Sequence, residues 1–127
     1  MNRLLMVGAG GFVGAVLRSS LGSWVQTQSH SVAFPYGTLA VNLIGCAAMG
    51  LLSHLAESRG VLSQETRQFL MVGMLGAFTT FSTFSSETMG LLQKGDDLRG
   101  LLNVTLHLML GLAMIWAGRT AGRRLWE

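Results

Sequence analysis

Residues 68–86 read QFLMVGMLGAFTTFSTFSS and contain no aspartate, glutamate, lysine or arginine. As a helix rising ~1.5 Å per residue, these 19 residues reach about 28 Å, close to the ~30 Å hydrocarbon thickness of a bilayer. A second charge-free stretch of that length runs from Gly100 to Gly118, and a longer one from Ser19 to Ala56. We therefore predict that the chain crosses a membrane.

The composition agrees with a membrane protein. Hydrophobic residues make up 50% of the 127 positions, and only 12% are charged, about half the charged fraction of a soluble domain. The formal charge of +3 does not predict nucleic-acid binding, because the basic residues are scattered at segment ends. Cys46 is the single cysteine, so no disulfide forms within the chain.

We predict an all-α integral membrane fold with four transmembrane helices, forming a single domain over residues 1–127. The spans are expected at about 4–25, 37–55, 69–92 and 101–119. Pro35 marks the start of the second span, and Ser63-Gln64-Glu65 predicts a helix start before the third. The apolar run after Arg3 lacks a small-residue cleavage site, so we interpret it as a retained span rather than a signal peptide.

Small residues run through the first two spans, and Gly10 and Gly14 have the small-xxx-small spacing. Inside lipid, close approach of main chains at such residues supplies the packing energy between helices. Because four short spans enclose little space on their own, we expect a homo-oligomer.

The motifs of three common site classes are missing. A dinucleotide loop would need a third glycine where Val13 stands, and the first acidic residue is Glu57. The histidines lack metal-ligand spacing; they are His30, His54 and His107. No Gly-x-Ser-x-Gly motif marks a nucleophile. We predict that the chain is not an enzyme.

The middle of the third span is unusually polar. Residues 73–87 include two glycines, six serine or threonine hydroxyls and Glu87, and such groups normally face a bundle interior or a water-filled path. Gly76 followed by the β-branched Thr79 and Thr80 favours a local break in the helix. Carbonyls freed there are natural ligands for a small hard cation such as sodium.

Phe81 and Phe84 are three residues apart and share one helix face. Their ring edges carry partial positive charge, and the neighbouring hydroxyls, with Asn42 on the second span, are hydrogen-bond donors. These features favour passage of an anion. Ordinary aromatic packing remains an equally good interpretation of the two rings.

Three motifs in order make the sequence resemble the CrcB/Fluc family of fluoride ion channels along essentially its whole length. They are Gly10-Gly11-x-x-Gly14-Ala15-x-x-x-Arg18, Gly37-Thr38-Leu39-x-x-Asn42-x-x-Gly45 and Gly76-x-x-Thr79-Thr80-Phe81-Ser82-Thr83-Phe84-Ser85-x-Glu87. The resemblance implies an antiparallel, dual-topology homodimer with two pores in the inner (plasma) membrane of a bacterial cell. Passive fluoride export, which lowers intracellular fluoride and its toxicity, is the implied function.

The resemblance also implies that eight side chains line the anion path: Phe81, Phe84, Asn42, Thr38, Ser82, Thr83, Glu87 and Arg18. The two phenylalanines would be aromatic ligands, Arg18 a vestibule residue and Glu87 a polar group at the pore's other end. Gly76 and Thr79 match the break whose main-chain oxygens, from both subunits, hold a structural Na+.

Two departures from the family pattern concern side chains. The usual glycine pair at the break reads Gly76-Ala77 here. Where relatives often carry a serine and a threonine on the fourth span, this chain has Gly111 and Ile115, and His107 is a candidate substitute.

A third departure is the distribution of basic residues. Six lie on the N-terminal side of the membrane: Arg3, Arg59, Arg67, Arg119, Arg123 and Arg124. The other side holds Lys94 and Arg99, with Arg18 near it. The positive-inside rule alone predicts termini inside. Either dual topology tolerates this bias, or the subunit pairs with an oppositely inserted paralogue.

Two other functions fit four short spans. A small multidrug-type, proton-coupled exporter would need a carboxylate in the first span, where this chain has none. A non-transporting assembly subunit would use the polar third span only for packing.

Overall fold

The computed structural model describes residues 3–58 and 61–126, and every regular element within these ranges is a helix. Arg59, counted above among the basic residues, lies outside them. In chain order the elements are α1 (Arg3–Gln28), α2 (Tyr36–Glu57), α3 (Gln64–Arg67), the π-helical segment π1 (Gln68–Leu75), α4 (Gly76–Phe78), α5 (Phe81–Gln93) and α6 (Asp97–Trp126).

Four helical segments are long and apolar enough to cross a membrane, which confirms the predicted number of spans. The first, second and fourth spans are α1, α2 and α6, whereas the third, Gln64–Gln93, is composed of α3, π1, α4 and α5. Every span is longer than predicted at both ends, because helical hydrogen bonding continues into the polar flanking residues.

The side chain of Gln26 holds the connection between α1 and α2. Its nitrogen donates to the carbonyls of Ser31 (2.5 Å) and Phe34 (3.1 Å), and its oxygen accepts from the N–H of Gly37 (3.0 Å). Pro35 directly precedes α2, as predicted. At this position a missing N–H costs no helical hydrogen bond.

The third span is bounded by two polar turns. Ser63 accepts a hydrogen bond from the N–H of Thr66 (3.1 Å), which confirms the predicted helix start. Gly95, with a φ of 76°, turns the chain between α5 and α6. Arg99 donates to Asp96 (2.5 Å), and this bond holds the pKa of the Asp96 carboxyl below its usual range.

Glycines bring α1 into main-chain contact with π1. A Cβ at Gly10 would overlap the carbonyl oxygen of Phe69, and a Cβ at Gly14 would overlap that of Met74. The prediction of close packing at these two glycines is therefore confirmed. Both positions are buried, although α1 otherwise exposes much of its apolar surface.

A second glycine contact joins α2 to α6. A Cβ at Gly50 would overlap the carbonyl of Ile115, and one at Gly118 would overlap that of Ala47. Small residues thus let both helix pairs approach through their main chains, which is how helices associate without a hydrophobic driving force.

Hydrogen bonding along the third span changes twice. π1 has π-helical bonding over 8 residues, which the sequence did not indicate. Gly76, where we expected the break to begin, is helical (φ −60°, ψ −36°). The helix is interrupted instead at Thr79 and Thr80, where ψ is 157° and 113°. Phe78, just before the interruption, packs in the buried core with Val41 and Leu75.

The amide side chain of Asn42, on α2, pairs with both main-chain groups of Thr80. Nδ2 donates to the Thr80 carbonyl (3.1 Å), and Oδ1 accepts from the Thr80 N–H (2.8 Å). In an uninterrupted helix that N–H would bond to the carbonyl of Gly76. Thr80 is only 8% exposed, so the two hydrogen bonds replace those that an extended residue loses inside a membrane.

Replacement of Gly14 by alanine tests the contact between α1 and π1. We expect Gly14→Ala to lower the free energy of unfolding by about 1–3 kcal/mol, because the new methyl group overlaps the main chain of Met74. Gly8→Ala is the control, since a Cβ there meets nothing within 4 Å. SDS titration followed by circular dichroism measures both, and equal effects would contradict the contact.

Replacement of Asn42 by alanine tests its pairing with Thr80. We expect a loss of about 2–4 kcal/mol, since two buried main-chain groups lose their partners at ~1–2 kcal/mol each. Hydrogen exchange followed by NMR should show the Thr80 N–H protected in the wild type and exposed in Asn42→Ala. Gln93→Ala, which removes an exposed amide at the end of α5, should leave that N–H protected. Unchanged protection in Asn42→Ala would disprove the pairing.

Candidate anion site

Hydroxyl groups gather at the N-terminus of α5 because the chain restarts its helix there. Thr80 Oγ1 accepts from the N–H of Thr83 (3.2 Å) and donates to Thr83 Oγ1 (2.9 Å). Ser82 Oγ lies 3.4 Å from Thr80 Oγ1. With the Thr80 hydroxyl engaged in this way, Thr83 keeps its own hydroxyl hydrogen for another acceptor. The helix N-terminus adds partial positive charge at this point.

The two predicted aromatic residues lie together beside these hydroxyls. The ring centroids of Phe81 and Phe84 are 5.6 Å apart, with the planes tilted by 52°. Both line a groove of about 300 Å³, here called the aromatic groove, together with Asn42, Thr79, Thr80, Cys46, His107 and Ile115. Phe81 is 80% exposed, so the groove lies open on the surface of the single chain.

The fourth span contributes an imidazole to the aromatic groove. The ring of His107 lies 4.4 Å from that of Phe84, centroid to centroid. Its Nδ1 lies 2.9 Å from the carbonyl of Asn103. A carbonyl only accepts, so Nδ1 carries the hydrogen and a neutral ring leaves Nε2 as an acceptor. That Nε2 is buried without a hydrogen-bond partner. Ile115 lines the same groove without a hydroxyl.

A second, larger groove of about 630 Å³ lies between α1, α2 and α5. Most of its lining residues are polar, among them Arg18, Thr38, Thr83 and Glu87; we call it the vestibule groove. Thr38 donates a hydrogen bond to Glu87 Oε1 (2.7 Å), and Glu87 Oε2 is buried without a partner. Arg18 and Glu87, expected at opposite ends of the pore, line one groove in this chain.

Thr80 lines both grooves, so it stands at the boundary between them. The structure thus divides the predicted residues into an aromatic set and a vestibule set that meet at Thr80 and its partner Asn42. Ser82 is exposed beside this junction and lines neither groove. Gly76 is also exposed and lies outside both.

Main-chain oxygens near the interruption fit a hard monovalent cation. Within residues 3–58 and 61–126, no three His, Cys, Asp or Glu side chains are placed to hold a metal. The carbonyl of Gly76 has lost the Thr80 N–H as its helical partner, since that N–H donates to Asn42. An uncharged carbonyl oxygen, such as that of the exposed Gly76, is a type of ligand that suits Na+ better than a transition metal.

Sequence reasoning did not identify three residues of the site. Thr80 was predicted only to favour a local break in the helix, and Gln26, which lines the vestibule groove, lay just beyond the predicted first span. Asn103 is fully buried and donates to Thr88 (2.9 Å). An amide inside the charge-free stretch 100–118 was the available signal for it.

Comparisons with known proteins find relatives over nearly the whole chain. Residues 5–119 match the family model described as CrcB-like protein, Camphor Resistance (CrcB). The chain is 42% identical over 125 residues to "Fluoride-specific ion channel FluC 1" of Methanosarcina acetivorans, covering 98% of this chain and 94% of the relative. It is 45% identical over 119 residues to "Fluoride-specific ion channel FluC" of Shewanella baltica, covering 94% of each.

A third relative, "Fluoride-specific ion channel FluC 3" of Methanosarcina barkeri, is 41% identical over 120 residues, which are 94% of this chain and 89% of the relative. The three relatives and the family model each cover nearly the whole chain, including all the residues of both grooves. The chain therefore belongs to the CrcB family.

Proposed function

We propose that this chain is the subunit of a fluoride-selective ion channel that lets fluoride leave the cytoplasm passively. The observation that carries the proposal is the aromatic groove, where the rings of Phe81 and Phe84 stand beside the hydroxyl cluster of Thr80. The relatives, whose matched regions cover nearly the whole chain, are named as fluoride-specific channels, which supports fluoride as the ion.

Fluoride is small and strongly hydrated, so a selective path must replace its water with donors that do not hold it permanently. Hydroxyls of Thr83 and Ser82 and the second Nδ2 hydrogen of Asn42 are neutral donors. The positive edges of the Phe81 and Phe84 rings add weak attraction over a longer stretch. None of these groups carries a net charge that would trap the anion.

The vestibule groove supplies the approach to this site. Arg18 raises the local concentration of anions, as a fixed positive charge in a polar cleft does. The hydroxyl of Thr38 is held by Glu87, which orients it along the groove wall. Thr80 then joins the vestibule groove to the aromatic groove.

Transport is passive and follows the electrochemical gradient of fluoride, without coupling to another ion. Hydrofluoric acid crosses the inner (plasma) membrane of a bacterial cell in its neutral form and ionises inside, and the channel returns the anion. The chain has no acidic residue in α1 that a proton-coupled exporter would use. Its activity therefore lowers intracellular fluoride, and with it fluoride toxicity.

The functional unit is a homodimer, because a single chain leaves the path open on its surface. Phe81 is 80% exposed and Gly76 is exposed in the same span, as expected if a second copy covers them. We propose an antiparallel, dual-topology pair, in which the bias of basic residues toward the N-terminal side is tolerated. An oppositely inserted paralogue is the alternative partner.

A structural Na+ completes the dimer in this proposal. The main-chain oxygens of Gly76 and Thr79 from both copies would hold it at the interface. A cation there would offset the partial negative charge of these carbonyl oxygens.

Flux from liposomes tests the channel. We expect the reconstituted protein to release fluoride passively and to retain chloride. Phe81→Ile or Phe84→Ile should slow fluoride release by at least about tenfold, the effect of losing ~1.4 kcal/mol of interaction with the ion. A fluoride electrode measures the release.

Phe12→Ile is the matched control, because this phenylalanine is 73% exposed on α1 and lines neither groove. It should release fluoride like the wild type. A requirement for a proton gradient would support an exporter instead, and absence of any flux would support an assembly subunit.

Disulfide cross-linking tests the dimer. In a Cys46→Ala background, Gly76→Cys should link two copies on oxidation, because we place Gly76 next to the two-fold axis. Gly90→Cys lies near one end of the third span and should not link to itself in an antiparallel pair. Linkage at both positions would indicate a parallel dimer. Exchange of Na+ for Cs+ should lower the Gly76→Cys yield if sodium holds the interface.

A further inference from the structure

The interruption at Thr79 and Thr80 leaves α5 without a helical connection to α4. A continuous helix would fix the rotation of its second half about the axis, and with it the direction of Phe81 and Phe84. Here that rotation depends on contacts with neighbouring spans. Asn42 provides one such contact, just before the first residue of α5.

A second contact lies one turn beyond Phe84. Asn103, on α6, donates from Nδ2 to Thr88 Oγ1 (2.9 Å), and Thr88 Oγ1 donates to the carbonyl of Phe84 (2.8 Å). Asn103 is 0% exposed, and Thr88 is buried with it. The chain of two hydrogen bonds joins α6 to the main chain of Phe84.

The spacing of residues along α5 places Thr88 on the helix face that carries the rings of Phe81 and Phe84. Residues 81, 84 and 88 follow the three-and-four spacing of one helix stripe. A hydrogen bond that fixes Thr88 against α6 therefore also fixes the direction in which Phe81 and Phe84 point.

The main chain of Asn103 makes a second connection to Phe84, through His107. Its carbonyl lies 2.9 Å from His107 Nδ1, and the His107 ring lies 4.4 Å from the Phe84 ring. One turn of α6 thus reaches Phe84 twice, through Thr88 to its carbonyl and through His107 to its ring.

We infer that Asn103 is a positioning residue for the aromatic groove, which it serves by holding the rotation of α5 through Thr88. The expected consequence, tighter binding of fluoride, rests on the proposed function. The positioning of α5 does not depend on that function. A buried asparagine that only joins two spans would stabilise the fold without affecting one ring more than another. The connection from the Asn103 side chain through Thr88 can be tested separately from the connection between the Asn103 carbonyl and His107. Substitution at Thr88 removes the first and leaves the second in place.

Fluorine NMR of para-fluorophenylalanine at position 84 tests the geometry without any transport. We expect one narrow resonance in the wild type, and a shifted or broadened one in Asn103→Ala and in Thr88→Val, which lacks the hydroxyl at nearly the same shape. Thr88→Ser keeps the hydroxyl and should keep the narrow resonance. A label at position 12 on α1 should not respond to any of these substitutions.

Fluoride dependence of the flux tests the consequence. Thr88→Val and Asn103→Ala should raise the fluoride concentration at half-maximal flux about tenfold, equivalent to ~1.4 kcal/mol, with unchanged Gly76→Cys cross-linking. Thr88→Ser should restore most of the wild-type value. Thr105→Val is the control on α6, since this exposed hydroxyl bonds only within its own helix, to Leu101.

The two measurements separate the possible failures. If the wild type carries no fluoride, the proposed function fails while the NMR result still decides the role of Asn103. If Asn103→Ala does not fold, the pair Thr88→Val and Thr88→Ser decides it. An unchanged resonance at position 84 in Thr88→Val, or loss of function in Thr88→Ser equal to that in Thr88→Val, would overturn the inference.

Discussion

Two hydrogen bonds between the Asn42 amide and the main chain of Thr80 are the interaction on which the rest of the site depends. A bilayer offers no water to an unpaired N–H or C=O, so a span leaves the helical conformation only where protein supplies partners. An amide side chain offers one donor and one acceptor side by side, as a neighbouring strand would. The interruption is therefore a property of α2 and the third span together.

The interruption changes what the third span presents to an ion. An uninterrupted helix would use the N–H groups near Thr83 internally and leave only side chains on its surface. Because α5 begins anew at Phe81, its N-terminal dipole and the hydroxyls around Thr80 point to one place, beside two aromatic rings. The same residue, Thr80, then separates a polar groove from an aromatic one.

Local signals in the sequence predicted most of the fold. Charge-free stretches predicted four spans, and the spacing of Gly10 and Gly14 predicted the contact that α1 makes with π1. These signals predicted the interruption only roughly, within residues 76–80. Glycine at 76 signals conformational freedom, but the helix breaks where an N–H has an alternative partner, and that partner lies 38 positions away at Asn42. The π-helical bonding of π1 and the burial of Asn103 depend in the same way on how spans cross.

Neutral amides are better suited than charged side chains to hold an interrupted helix beside an anion path. A carboxylate at position 42 would accept from the Thr80 N–H but repel an anion, and a lysine would donate to its carbonyl but hold the anion too strongly. Asn42 completes both hydrogen bonds and keeps a second Nδ2 hydrogen, while Asn103 anchors α5 to α6 without adding charge. Arg18 and Glu87 line the vestibule groove but not the aromatic groove. The field in the aromatic groove is thus set by dipoles and ring edges, which, in the function we propose, stabilise a passing anion and still release it.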